Sequence, residues 1–136
     1  MYWFRKAAEQ GHEVGQWMLG EMYYYGQGVK QNYEQSMYWL RKAAEQDSEE
    51  GQQKLGYMYC YGIGVERNDE QAVYWSRKAA DQGNEQAQFN LGWMYDRGQG
   101  VPQNDKEAVK WYGLAADQGN TRAQEALIKL GIDWKK

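Results

Sequence analysis

At 136 residues, with 42% hydrophobic and 15% aromatic side chains, the chain is long enough to bury one continuous core and too ring-rich for a disordered segment. A formal charge of −3 and an isoelectric point near 5.2 exclude a nucleic-acid surface, which needs a basic stripe. No apolar run approaches the roughly 20 residues of a membrane span, so membrane insertion is not expected either. The first ten residues carry no signal-peptide core, and Cys60, the single cysteine, cannot staple a fold; the compartment stays open.

Three windows set the frame for the predicted elements: Leu19-Gly20-Glu21-Met22-Tyr23, Leu55-Gly56-Tyr57-Met58-Tyr59 and Leu91-Gly92-Trp93-Met94-Tyr95, spaced by 36 residues without slippage. A strict period of that size is the signature of stacked units, none of which folds alone. Residues 1–11 read as the second helix of an incomplete unit, because Trp3 lies 36 residues before Trp39. No polar capping repeat is visible there, so Tyr2, Trp3 and Phe4 are expected to stay partly exposed, which predicts end-to-end self-association through those rings; folding of Trp3 onto the first complete unit, with a fraying terminus, is the alternative. Residues 12–47, 48–83 and 84–119 read as complete units.

In the middle unit Gly51, Leu55, Met58 and Tyr59 share one helix face, at i, i+4, i+7 and i+8. Gly62-Ile63-Gly64-Val65 breaks the pattern and turns the chain back. Ala72, Trp75, Ser76, Ala79 and Ala80 then form the face of a second helix. Asn32, Asn68 and Asn104 stand three residues before Gln35, Gln71 and Glu107, a capping-box spacing in which each partner satisfies an orphan N–H of the other. Gly11, Gly83 and Gly119 mark left-handed helix ends, with Asp47 in the equivalent place once. Paired alanines, such as Ala43-Ala44 and Ala79-Ala80, leave room for close helix approach. Residues 120–136 supply a last first helix, with Leu127 in the place of Leu91, and a tail. The expected fold is all-α: eight helices stacked as hairpins in an open right-handed superhelix.

The pattern L-G-x-M-Y-x-x-G-x-G-V followed by N-x-E-Q-A-x-x-W-x-x-K-A-A-x-Q-G resembles Sel1-like repeats, relatives of the tetratricopeptide repeats, over essentially the whole chain. The resemblance implies an α/α superhelix acting as an adaptor, often in bacterial signalling, host interaction or the assembly of membrane-associated complexes. Cysteine-rich bacterial members carry a cysteine pair per repeat, which this chain lacks. By likeness to tetratricopeptide arrays, the first helix of each hairpin lines the concave side.

Opposite the core face of each first helix runs a second stripe whose residues change freely between units. In the first unit it is Val14, Trp17, Glu21, Tyr24 and Tyr25; in the second, Glu50, Gln53, Tyr57, Cys60 and Tyr61; in the third, Gln86, Phe89, Trp93, Asp96 and Arg97. A solvated face would be polar, whereas this one is rich in rings with polar handles, the residues enriched in binding hot spots. Trp17, Tyr24, Tyr25, Tyr57, Tyr61, Phe89 and Trp93, with Glu21, Gln53, Asp96 and Arg97, are therefore expected to line a groove for a protein or peptide segment. Packing between adjacent units is the alternative use of the same rings.

Catalytic chemistry finds little support. Gly26-Gln27-Gly28 and its copies lack the strand and third glycine of a dinucleotide loop and read as turns. His12, the only histidine, has no second imidazole for a metal. Cys60 reads as a partly exposed thiol without a histidine partner. Ser36, Ser48 and Ser76 are followed at i+3 by Trp39, Gly51 and Ala79, not by the lysine of a Ser-x-x-Lys nucleophile. Arg5-Lys6, Arg41-Lys42 and Arg77-Lys78 read as a solvated basic ridge complementing helix dipoles. The expected function is a non-catalytic adaptor with no cofactor or metal. A self-associating spacer, or an enzyme or binder acting on a small ligand or cell-wall fragment, stands as the alternative.

Overall fold

The computed structural model describes residues 2–134, with the side chain of Tyr2 outside the described set. Among the described residues there are eight helices and no strand: α1 (Tyr2–Glu9), α2 (Glu13–Tyr25), α3 (Tyr33–Glu45), α4 (Glu49–Tyr61), α5 (Asp69–Asp81), α6 (Glu85–Arg97), α7 (Asp105–Asp117) and α8 (Thr121–Lys129). Helices α2 and α3, α4 and α5, and α6 and α7 pack as hairpins, each hairpin resting on the next through α3·α4 and α5·α6. The first helices also meet across hairpins, as α4 does α6.

Helix ends follow the local chemistry. The side chains of Asn32, Asn68 and Asn104 accept from the backbone N–H of Gln35, Gln71 and Glu107, each at 3.1 Å. The reciprocal half of the expected capping box is replaced: the Asn N–H groups donate to the carbonyls of Tyr23, Tyr59 and Tyr95, closing each turn onto its own first helix. Ser48, Asn84 and Asn120 cap the first helices in the same way. At the ends of the second helices the chain enters the left-handed region, at φ +67° for Asp47 and +94° for Gly83. There Ser48 N–H reaches back to Ala43 and Asp47 N–H to Ala44, the paired bonds of a Schellman end.

The core is built from small-on-large contacts. Leu19, Leu40, Leu55, Met58, Leu91 and Met94 are fully buried, and Trp39, Trp75 and Trp111 lie against them from the second helices. A Cβ on Gly56 would stand 2.6 Å from Ser76 Oγ, and one on Gly92 2.8 Å from the Tyr112 ring. The glycine after each core leucine is thus where the two helices of a hairpin come closest.

Two ladders tie unit to unit. Gln46, Gln82 and Gln118 each donate to a backbone carbonyl of the preceding unit (Gly11, Asp47, Gly83) and to a glutamine of their own unit (Gln16, Gln52, Gln88). Those glutamines in turn donate to Ala8, Ala44 and Ala80. The second ladder corrects the solvated-ridge expectation: the guanidinium groups of Arg5, Arg41 and Arg77 donate to the hydroxyls of Tyr23, Tyr59 and Tyr95, eighteen residues on. These arginines also sit over the same rings, Arg41 at 5.7 Å from the Tyr59 ring centre. They are structural clamps, whereas Lys42 and Lys78 lie over the exposed rings of Tyr38 and Tyr74 on the outer face.

Candidate functional site

The stripe opposite the core gathers into two clusters. In the first, Tyr24 and Tyr25 at the end of α2 meet edge to face, with ring centres 4.8 Å apart, and Tyr57 and Tyr61 of α4 pair at the same distance. Between them stands Lys54. Its ammonium lies 4.2 Å from the Tyr24 ring centre, 4.9 Å from that of Tyr25 and 5.8 Å from that of Tyr57. It donates to Tyr25 Oη at 2.9 Å and pairs with Glu21 at 3.5 Å. Burial disfavours the charge, but the Tyr25 hydrogen bond and the Glu21 carboxylate outweigh it and hold the ammonium above its ordinary range. Burial also pushes the Tyr24 phenol up, against the opposing charge of Lys54.

The second cluster lies between α6 and α8. Phe89 packs on Tyr112, with ring centres 5.6 Å apart, and carries the Arg122 guanidinium at 4.7 Å. Arg97 lies over Trp93 at 5.5 Å. Asp96 Oδ2 accepts from Tyr112 Oη at 3.1 Å, and burial, then the Asp96 charge, holds the Tyr112 phenol protonated well above its ordinary range. These residues, with Glu125 and Lys129 on the rim, line an open cavity of about 250 Å³. The clusters are near one another: Tyr61, at the end of α4, feels the charge of Arg122 on α8. An α4 side chain and an α8 side chain come within electrostatic reach across α6.

The expected residues therefore fall into different settings. Tyr25 and Tyr61 are each 53% exposed; Trp17, Tyr24, Gln53, Tyr57, Trp93 and Asp96 are half-buried, and Arg97 is exposed. Glu21 is engaged with Lys54. Phe89 is 7% exposed and serves as a wall under Arg122 rather than as an open groove residue, because α8 closes over it. Cys60 is buried, not partly exposed, and burial followed by the nearby Asp69 charge pushes its thiol up. Trp3 is 76% exposed and Phe4 half-buried, while the Tyr2 side chain lies outside the described residues. His12 is exposed, and no grouping of potential metal ligands occurs among the described residues. No helix is long and apolar enough to cross a membrane among the described residues.

Sequence reasoning missed Lys54, Tyr112, Arg122, Glu125 and Lys129. Three of these were legible, since Arg122, Glu125 and Lys129 stand 36 residues after Gln86, Phe89 and Trp93. Lys54 was not, because the same place holds Met18 and Asn90 in neighbouring units.

A family model, described as Sel1 repeat, matches residues 1–12, 14–48, 49–84 and 85–120. Among solved structures, the chain is similar to c5321, a protective antigen of uropathogenic Escherichia coli strains displaying an SLR fold. That likeness has a TM-score of 0.91 at 39% identity, covering 97% of this chain and 29% of that one. It is also similar to a Sel1 repeat protein from Oxalobacter formigenes, with a TM-score of 0.84, 36% identity, and 93% and 95% coverage. A third likeness is to Helicobacter pylori cysteine rich protein B, with a TM-score of 0.71, 28% identity, and 93% and 90% coverage. The chain thus spans less than a third of the length of c5321. No curated protein sequence matches the chain.

Proposed function

The chain belongs to the Sel1 repeat family, whose arrays generally mediate protein–protein interaction and are typically non-catalytic scaffolds; on that footing we propose that it is an adaptor holding a peptide or protein segment along its aromatic face. The observation that carries this reading is the placement of Tyr25 and Tyr61. Each is half exposed although its neighbour, Tyr24 or Tyr57, braces it ring to ring. A braced ring has already given up its rotamer freedom, so covering it with a partner costs little further entropy. The Tyr25 hydroxyl accepts from Lys54 and keeps its own O–H to donate to a polar partner at the rim. The run from Tyr24 to Lys129 offers alternating rings and charges, which suits an extended or helical segment.

The test is selection of random twelve-residue peptides displayed on phage, followed by fluorescence anisotropy with the synthetic consensus peptide. The double variant Tyr25→Ser with Tyr61→Ser is expected to weaken binding at least tenfold while circular dichroism stays helical. The outer-face pair Tyr38→Ser with Tyr74→Ser is expected to leave it unchanged. Loss in the outer pair and retention in the inner pair would overturn the reading.

A further inference from the structure

The cations of the aromatic face differ in what they are already doing. Lys54 is committed to Glu21 and Tyr25. Among the described residues, Arg97, Arg122 and Lys129 have no carboxylate within ion-pair distance. Arg97 and Arg122 are instead laid over Trp93 and Phe89. A guanidinium resting over a ring with no carboxylate partner is placed before any ligand arrives and keeps N–H donors for it. Those donors form a planar fork that matches a carboxylate.

Charge and size narrow the occupant. Of the two acids at the cavity, Asp96 accepts the Tyr112 hydroxyl and Glu125 is exposed on the rim. Three cations against two carboxylates make the cavity locally positive on a chain whose formal charge is −3. At about 250 Å³ it falls below the roughly 300–1,000 Å³ of free small-molecule pockets. It therefore suits one side chain of a longer segment better than an independent ligand.

We propose that the cavity between α6 and α8 is the specificity pocket of the aromatic face and takes the carboxylate side chain of an acidic peptide segment, with Arg97 and Arg122 as donors and Lys129 adding charge. This rests on the reading of that face as the partner surface. The acid supplies the anion that Arg97 and Arg122 lack, and the neighbouring peptide residues cover Trp93 and the tyrosines. Because the pocket opens to solvent, the affinity falls as salt rises.

The experiment compares peptides selected on the wild-type chain with their Glu→Gln or Asp→Asn counterparts, in anisotropy at low and physiological salt. The expected consensus carries Asp or Glu at one fixed position, and neutralising it weakens binding at least tenfold. Arg97→Gln with Arg122→Gln is expected to cause a similar loss, and Lys110→Gln, an exposed lysine that does not line the cavity, none. The charge-swapped pair, Arg122→Glu with a lysine at the fixed peptide position, is expected to recover binding, which separates charge recognition from misfolding. Peptides that need Tyr25 and Tyr61 but show no acid preference would overturn this proposal alone. Failure to obtain any peptide sensitive to those tyrosines would overturn the partner surface, and the pocket with it.

Discussion

Lys54→Met keeps a long unbranched side chain and removes only the charge and its donors, so it isolates what the tyrosine cluster gains from a cation. The Glu21 pair at 3.5 Å is partly solvated and is worth about 0.5–1 kcal/mol. The hydrogen bond to Tyr25 at 2.9 Å adds about 1 kcal/mol at most, because the exposed phenol regains water when the donor leaves. The Tyr24 ring at 4.2 Å contributes about 0.5–1 kcal/mol more. Against these stands the burial of the ammonium, which methionine does not suffer and which offsets about 1 kcal/mol. The expected net loss is about 1–2 kcal/mol, read as a lower urea midpoint at unchanged slope. Glu21→Gln alone, and the two together, complete a double-mutant cycle with an expected coupling of about 0.5–1 kcal/mol. A Lys54→Met chain as stable as the parent, or a cycle with no coupling, refutes the view that the cation organises these rings.

Gly56→Ala and Gly113→Ala should have opposite signs in the same urea assay. A Cβ at Gly56 would meet Ser76 Oγ at 2.6 Å and the Ala72 carbonyl at 3.2 Å, so overpacking of about 1–3 kcal/mol outweighs the ~1 kcal/mol gain in helix propensity. Nothing lies within 4 Å of a Cβ at Gly113, and that variant gains up to about 1 kcal/mol. Gln52→Leu removes the bond to the Ala44 carbonyl and the one accepted from Gln82, which keeps its bond to Asp47; thermal scans should show a loss of about 1–2 kcal/mol, smaller when Gln82→Leu is already in place. Stability should fall as pH rises through about 10 and above. The raised Lys54 contributes stability that is complete below its unfolded value of 10.5 and is lost as pH climbs through the folded value. The phenols of Tyr24, Tyr61 and Tyr112, also raised, favour the protonated native state and act in the same direction. A flat melting temperature between pH 9 and 11.5 contradicts this. Amide exchange should be fastest in α1 and α8, whose main neighbours are α2 and α7, and slowest in α4 and α5, each packed between two helices; uniform exchange along the chain contradicts a nearest-neighbour array.

Helix order, turns and most of the core were readable in advance because they rest on interactions within one unit. The face Gly51, Leu55, Met58, Tyr59 is a matter of helical spacing, and all four residues are buried. The left-handed Asp47 follows from where a helix must end. Capping was half readable: the Asn side chains do cap, but the reciprocal donor is taken by Tyr23, Tyr59 and Tyr95, which a spacing rule for isolated helices does not include.

What the sequence alone determined is the period, the eight helices, the buried face of each and the ring-rich stripe opposite it, since all of these repeat with the backbone's own geometry. Only the tertiary structure decided which stripe residues remain open. Phe89 is covered because α8 and Tyr112 close on it, Lys54 is drawn among tyrosines from two units, and Arg5, Arg41 and Arg77 are turned from solvent into clamps. The reason is that these contacts join residues 18 to 35 apart, whose meeting depends on how one hairpin is rotated against the next. Helical periodicity carries no information about that rotation, and the packing of small residues against large ones sets it.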